Sequence, residues 1–175
     1  VRLELPELFI DNLNFALERQ TAGESEMYFR ESFIFPFLQQ AWKRHPQLKL
    51  WVNQLLKYDD TLFGEPDYLV SLWPQEAVID KLVNKPVLTA VEAKKQDFES
   101  GWAQCVAELI ACQKLNDDDD ELTLYGVVST GIVWEFGKLR QQVFSRTPLA
   151  YTIAEPQRLF GILDFIFAEC GRQAG

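Results

Sequence analysis

The chain has 175 residues, enough for one domain, 1–175, with a substantial core. Hydrophobic residues make up 47 % and aromatics 13 %, which excludes a disordered chain. The net charge of −9 argues against tight stand-alone nucleic-acid binding through basic residues, and a single histidine, His45, excludes a His-based triad or a multi-His metal site.

Taken in order, residues 6–19 read as a helix. Pro6 suits an early helical position, and Phe9, Leu13, Ala16 and Leu17 form an apolar stripe. Thr21, Ala22 and Gly23 break it. A second helix is predicted over about 24–43, with Met27, Ile34, Leu38 and Ala41 on one side. Pro36 falls inside it and should kink or divide it. Glu26 and Arg30 stand one turn apart on the flank of that stripe, a spacing at which they can form an exposed pair and a position from which they can reach a cleft at the core's edge. His45 and Pro46 end the helical region. Residues 48–56 fit a helix or a strand. Alternation of Leu48, Leu50 and Val52 favours the strand, and residues 58–61 would be the turn after it. Two further strands are expected at about 66–73 and 87–94, giving a meander, with residues 75–84 a connection of uncertain form.

The third strand carries the chemistry. Side chains alternate across a strand, so Leu88, Ala90, Glu92 and Lys94 share one face. If this strand pairs with the one that follows Pro66, Asp67 joins them. Two carboxylates then offer oxygen ligands to a hard divalent cation, with an ammonium beside them, a set suited to phosphodiester hydrolysis. The blander alternative makes Asp67 a turn residue and Glu92 with Lys94 a surface pair. The sheltered Leu88/Ala90 face disfavours it, because buried carboxylates are costly.

A helix should follow, to about residue 116. Trp102, Cys105, Val106, Leu109 and Cys112 are its apolar face, and Gln104 and Glu108 are polar exceptions one turn apart. The acidic run 117–121 reads as a solvated loop. Strands are expected at 122–128 and 132–136 around a turn at Ser129, Thr130 and Gly131, with short edge strands at 141–145 and 151–154. The final helix starts at Glu155 and Pro156, and Gly171 is expected to end it.

Cys105, Cys112 and Cys170 form no CxxC pair and read as reduced core thiols of a cytoplasmic protein. No signal peptide or bilayer-spanning run is recognised. The first residue is Val1, which predicts a short preceding segment.

Pro66-Asp67 followed by Glu92-Ala93-Lys94 resembles the signature of the PD-(D/E)xK nuclease superfamily. Ser25, Glu26, Arg30 and the run Ile34-Phe35-Pro36 resemble the opening helix of nuclease domains in type I restriction motor subunits, which are members of that superfamily. The resemblance covers about residues 24–136. It implies a restriction endonuclease-like α/β fold, with a central mixed sheet and an αβββαβ core flanked by helices. It implies Mg²⁺ or Mn²⁺ on Asp67 and Glu92, with Lys94 positioning the attacking water. Glu26 would be a third carboxylate, with Glu24 and Glu31 as rivals. Lys95 points to the opposite face and is the second choice of lysine. Gln104 resembles the glutamine of the extra motif in RecB-like nucleases and would position substrate or water. That motif has a tyrosine four residues on, where this chain has Glu108.

The expected activity is metal-dependent cleavage of nucleic acid, DNA foremost, with no membrane partner. No DNA-reading domain is recognised, so sequence-specific cutting would require a homodimer or a partner. The alternative is a nuclease-like fold used as a non-catalytic interaction module in a defence or repair assembly. The acid excess and the aromatic surplus fit that alternative. The complete set Asp67, Glu92 and Lys94 argues against it.

Overall fold

The computed structural model describes residues 1–73 and 87–174. A seven-stranded, mostly antiparallel sheet lies between helices, an α/β architecture. Its strands are β1 (Leu48–Val52), β4 (Tyr68–Leu72), β5 (Val87–Ala93), β6 (Leu124–Ser129), β7 (Val133–Arg140) and β8 (Val143–Arg146), in that spatial order, with β9 (Tyr151–Thr152) also on β7. The predicted meander is present as β1, β4 and β5, paired antiparallel. The connection expected at 75–84 lies outside the described residues.

Helices α1 (Glu7–Arg19), α2 (Glu26–Phe29), α3 (Phe35–Arg44), α4 (Phe98–Leu115) and α5 (Pro156–Ala174) complete the chain. Among the described residues, β5 and β6 are the pair that runs parallel. A parallel neighbour requires a crossover, and α4 supplies it. Strand β5 is buried along its whole length, because both its faces are covered. Thr89 Oγ1 meets Cys170 Sγ of α5 at 3.2 Å on one face. On the other, Cys105 Sγ of α4 lies 3.7 Å from the Ala90 carbonyl. Phe9, Phe37 and Trp134 pack edge to face and tie α1 and α3 to β7. All three cysteines are buried free thiols.

Pro36 does disturb the second helix, but without breaking it. Ser25 caps α2 by accepting from the Tyr28 N–H. Arg30–Ile34 then forms a π-helical turn, closed by the Phe35 N–H to the Arg30 carbonyl, and α3 continues with Pro36 in its first turn. A proline has no N–H to give to the preceding turn, so the wider turn absorbs its cost.

Two expectations are corrected. A small hairpin, β2 (Leu56–Lys57) with β3 (Phe63–Gly64), stands between β1 and β4, where only a turn was expected. Two-residue strands are too short to show alternation. Asp59 fixes its tip by accepting from the N–H groups of Thr61 and Leu62. Gly171 does not end α5, which runs to Ala174. A Cβ at Gly171 would collide with the Gln47 side-chain amide, so this glycine serves close packing.

Candidate active site

Asp67 lies just before β4. The register sets Tyr68 opposite Val91, which carries Asp67 alongside Glu92 at the end of β5. Its carboxylate bridges two elements. Oδ2 accepts from the Ala93 N–H at 2.7 Å, and Oδ1 takes the Arg30 Nη1 at 2.8 Å. Arg30 is 7 % exposed and comes from the π-helical turn. Its Nη2 donates to Asn53 Oδ1 at 2.6 Å, its Nε to the Tyr68 hydroxyl at 3.4 Å, and its guanidinium lies over the Tyr68 ring. Asn53 holds the left-handed conformation, and its N–H donates to the Asp67 carbonyl. The partner of Arg30 is therefore Asp67, not the helix neighbour Glu26. Glu26 is exposed, and its charge acts on Arg30 from outside.

Glu92 is 1 % exposed and points at α4, as alternation requires. Lys94 follows on the same side. Its Nζ lies 3.9 Å from Glu92 Oε2 and donates to Gln104 Oε1 at 3.0 Å. Gln104 Nε2 in turn donates to Glu108 Oε1 at 3.4 Å. Glu108 is 2 % exposed and faces Glu92. Four side chains thus close a ring: Glu92, Lys94, Gln104 and Glu108. The β2–β3 hairpin covers it closely, since a Cβ at Gly64 would lie 3.0 Å from Glu108 Cγ.

Two buried oxygens of this ring, Glu92 Oε1 and Glu108 Oε2, accept from no donor outside the carboxyl pair itself. A buried carboxylate oxygen without a partner is expensive. Burial first, then the Glu108 carboxyl and the Asp67 charge, push Glu92 up to about 10, against the pull of Lys94. Burial raises Glu108 as well, while its hydrogen bonds from Glu92 and Gln104 work against the rise. The consistent picture is one proton held by Glu92 and directed at Glu108. Either a proton or a metal cation satisfies the facing oxygens.

The structure brings together Asp67, Glu92, Lys94 and Gln104, four of the expected site residues. Glu26 lies outside this ring. Lys95 is exposed, beside Gln20, Thr21 and Glu24 in another pocket. Glu108 was visible in the sequence only as a polar interruption of an apolar helix. Arg30 does reach inward from the flank of its helix, as its position allows, but its partner is Asp67 and not Glu26.

The donor set fits a hard divalent cation in kind: carboxylate oxygens, two of them buried and unpartnered outside the pair. Among the described residues, no group of three His, Cys, Asp or Glu side chains forms a ready-made metal cage. Asp67 Oδ1 is drawn to Arg30 instead. Comparison of the chain with protein-family models, curated proteins and solved structures finds no match.

Proposed function

We propose that the chain is a metal-dependent phosphodiester hydrolase acting on nucleic acid, DNA foremost, with a restriction endonuclease-like organisation. The observation that carries this reading is the buried Glu92 carboxyl, with Asp67 alongside at the end of the adjacent strand and Lys94 at 3.9 Å from its Oε2, while its Oε1 takes no donor from the rest of the chain.

Asp67 and Glu92 hold the cation, Mg²⁺ or Mn²⁺, with Glu26 adding negative charge at the rim. When bound, the metal supplies Lewis acidity toward a phosphoryl oxygen and a more acidic water. Lys94 offers a positive charge and donors to the phosphate or to the attacking water. Gln104 sets the direction of the Lys94 ammonium. Ala93 N–H and Arg30 fix the Asp67 carboxylate in one orientation. The chain carries an acid excess of −9, so substrate affinity depends on the cation rather than on a basic surface. Cutting both strands at one place would take two copies of the site.

The test is cleavage of labelled duplex DNA, single-stranded DNA and RNA with Mg²⁺ or Mn²⁺, by the native protein and by Asp67→Asn. The expected result is cleavage reduced at least about 100-fold in the variant, as for loss of a group that acts in the transition state. No cleavage of any of the three by the native protein overturns the reading. A second reading, a non-catalytic interaction module, draws on the Arg30–Asp67 ion pair, which occupies a carboxylate that a hydrolase needs for metal. It predicts nucleic-acid or protein binding that chelators leave unchanged.

A further inference from the structure

We propose that Glu108 is a metal ligand, and that with Glu92 it forms the inner pair of carboxylates around the cation. This deepens the reading above and rests on it for the identity of the site. An acidic cluster alone would not carry such a statement. Here two separate oxygens, Glu92 Oε1 and Glu108 Oε2, are unpartnered outside the pair on side chains 1 % and 2 % exposed, and the carboxyls face each other.

Glu108 stands on the buried side of α4, one turn after Cys105 and next to Leu109, both fully buried. An apolar side chain there would pack under Gly64 without electrostatic cost. The local charges also leave it unbalanced. Arg30 answers Asp67, and the single ammonium of Lys94 acts on both Glu92 and Glu108, so two buried carboxylates share one cation. Glu92 and Glu108 would hold a divalent ion, which would supply an excess of positive charge for a phosphodiester. Gln104 Nε2 is already directed at Glu108 Oε1, so Oε2 remains available to the ion. Glu26 is exposed on α2 and lies outside this pair.

The experiment measures Mn²⁺ binding by electron paramagnetic resonance on the full chain, for native protein, Glu108→Gln, Glu108→Asp, Glu92→Gln and Glu26→Gln. Glutamine keeps the shape of Glu108 and removes a buried like charge, so the variant should fold with a urea midpoint no lower than native. The expected result is Mn²⁺ affinity weakened at least about tenfold in Glu108→Gln and in Glu92→Gln, and changed less than about twofold in Glu26→Gln. Glu108→Asp, which retracts the oxygen but keeps the charge, should bind between native and Glu108→Gln. If Glu108→Gln binds Mn²⁺ as tightly as native, the proposal falls, and so it does if Glu26→Gln alone loses the ion. Native protein that binds no Mn²⁺, with or without inorganic phosphate, overturns it as well. The two fail separately: DNA cleavage retained by Glu108→Gln but lost by Asp67→Asn would sink the ligand role of Glu108 and leave the hydrolase reading standing.

Discussion

Arg30 Nη1 and Asp67 Oδ1 lie 2.8 Å apart at the edge of the core, which joins a helical turn to the start of a central strand. The Asp67 Oδ2 contact to the Ala93 N–H extends the link to β5. Removing Arg30 takes away a charge-assisted hydrogen bond from a partly exposed carboxylate that keeps the Ala93 N–H. Arg30→Met should therefore lower stability by about 2 kcal/mol. Arg30→Lys should recover only part of it, because an ammonium cannot reach Asp67, Asn53 and Tyr68 together. Urea unfolding measures both. A loss under about 1 kcal/mol in Arg30→Met would show that the pair does not hold the site together.

The Glu92–Glu108 pair makes a prediction about pH. Glu92 is raised from the ordinary carboxylate range to about 10, so the folded protein holds a proton that the unfolded chain has released. Its contribution is fully present below the unfolded value and is lost as pH rises toward the folded one. With metal removed by chelator, stability should fall between pH 5 and pH 9, these being round values inside that window. Glu92→Gln should flatten the dependence. Urea midpoints across that range decide it, and a native profile that rises with pH would contradict the shared proton.

Lys94 should matter for chemistry more than for metal. Lys94→Met is expected to lower nucleic-acid cleavage by about 100-fold or more, the scale of a positioned proton or charge partner. Mn²⁺ affinity should hold or improve, since a cation next to Glu92 Oε2 is gone. Equal losses in binding and cleavage would move Lys94 from the reaction to the architecture of the site.

Gly101 holds α4 against the sheet at the point where Lys94 leaves it. A Cβ there would come within 2.6 Å of Val128 Cγ1 and 2.9 Å of Lys94 Cγ. Gly101→Ala must push α4 outward or displace Lys94. It should cost about 1–3 kcal/mol, as overpacking does, and reduce cleavage beyond that effect. Thermal unfolding and cleavage at saturating Mn²⁺ measure the two consequences.

The legible part of this chain was the part with local periodicity. Strand β5 announced itself by composition, and alternation put Glu92 and Lys94 on one side. Pro36 marked the disturbed turn. The partner of Arg30 was misread because its neighbour four residues away was visible, whereas Asp67, thirty-seven positions on, meets it only after β4 docks. Glu108 could not be placed because α4 is apolar nearly all round, so spacing does not say which polar residue faces inward. The β2–β3 hairpin has too few residues for a pattern. Gly171 looked like a stop because composition cannot distinguish a glycine that ends a helix from one that lets Gln47 approach.

The π-helical turn has one consequence for how this sequence can change. An α-helix advances about 100° per residue, and a π-turn takes up one residue more than an α-turn while the segments on either side keep their faces. Arg30 on the near side points to Asp67, and Phe37 on the far side reaches Trp134. Insertion of a further residue elsewhere between them would rotate one of these side chains away from its partner. Loss of one residue within the wide turn lets it tighten to an ordinary α-turn, so this is the one place in the helix where the chain can shorten and both contacts persist.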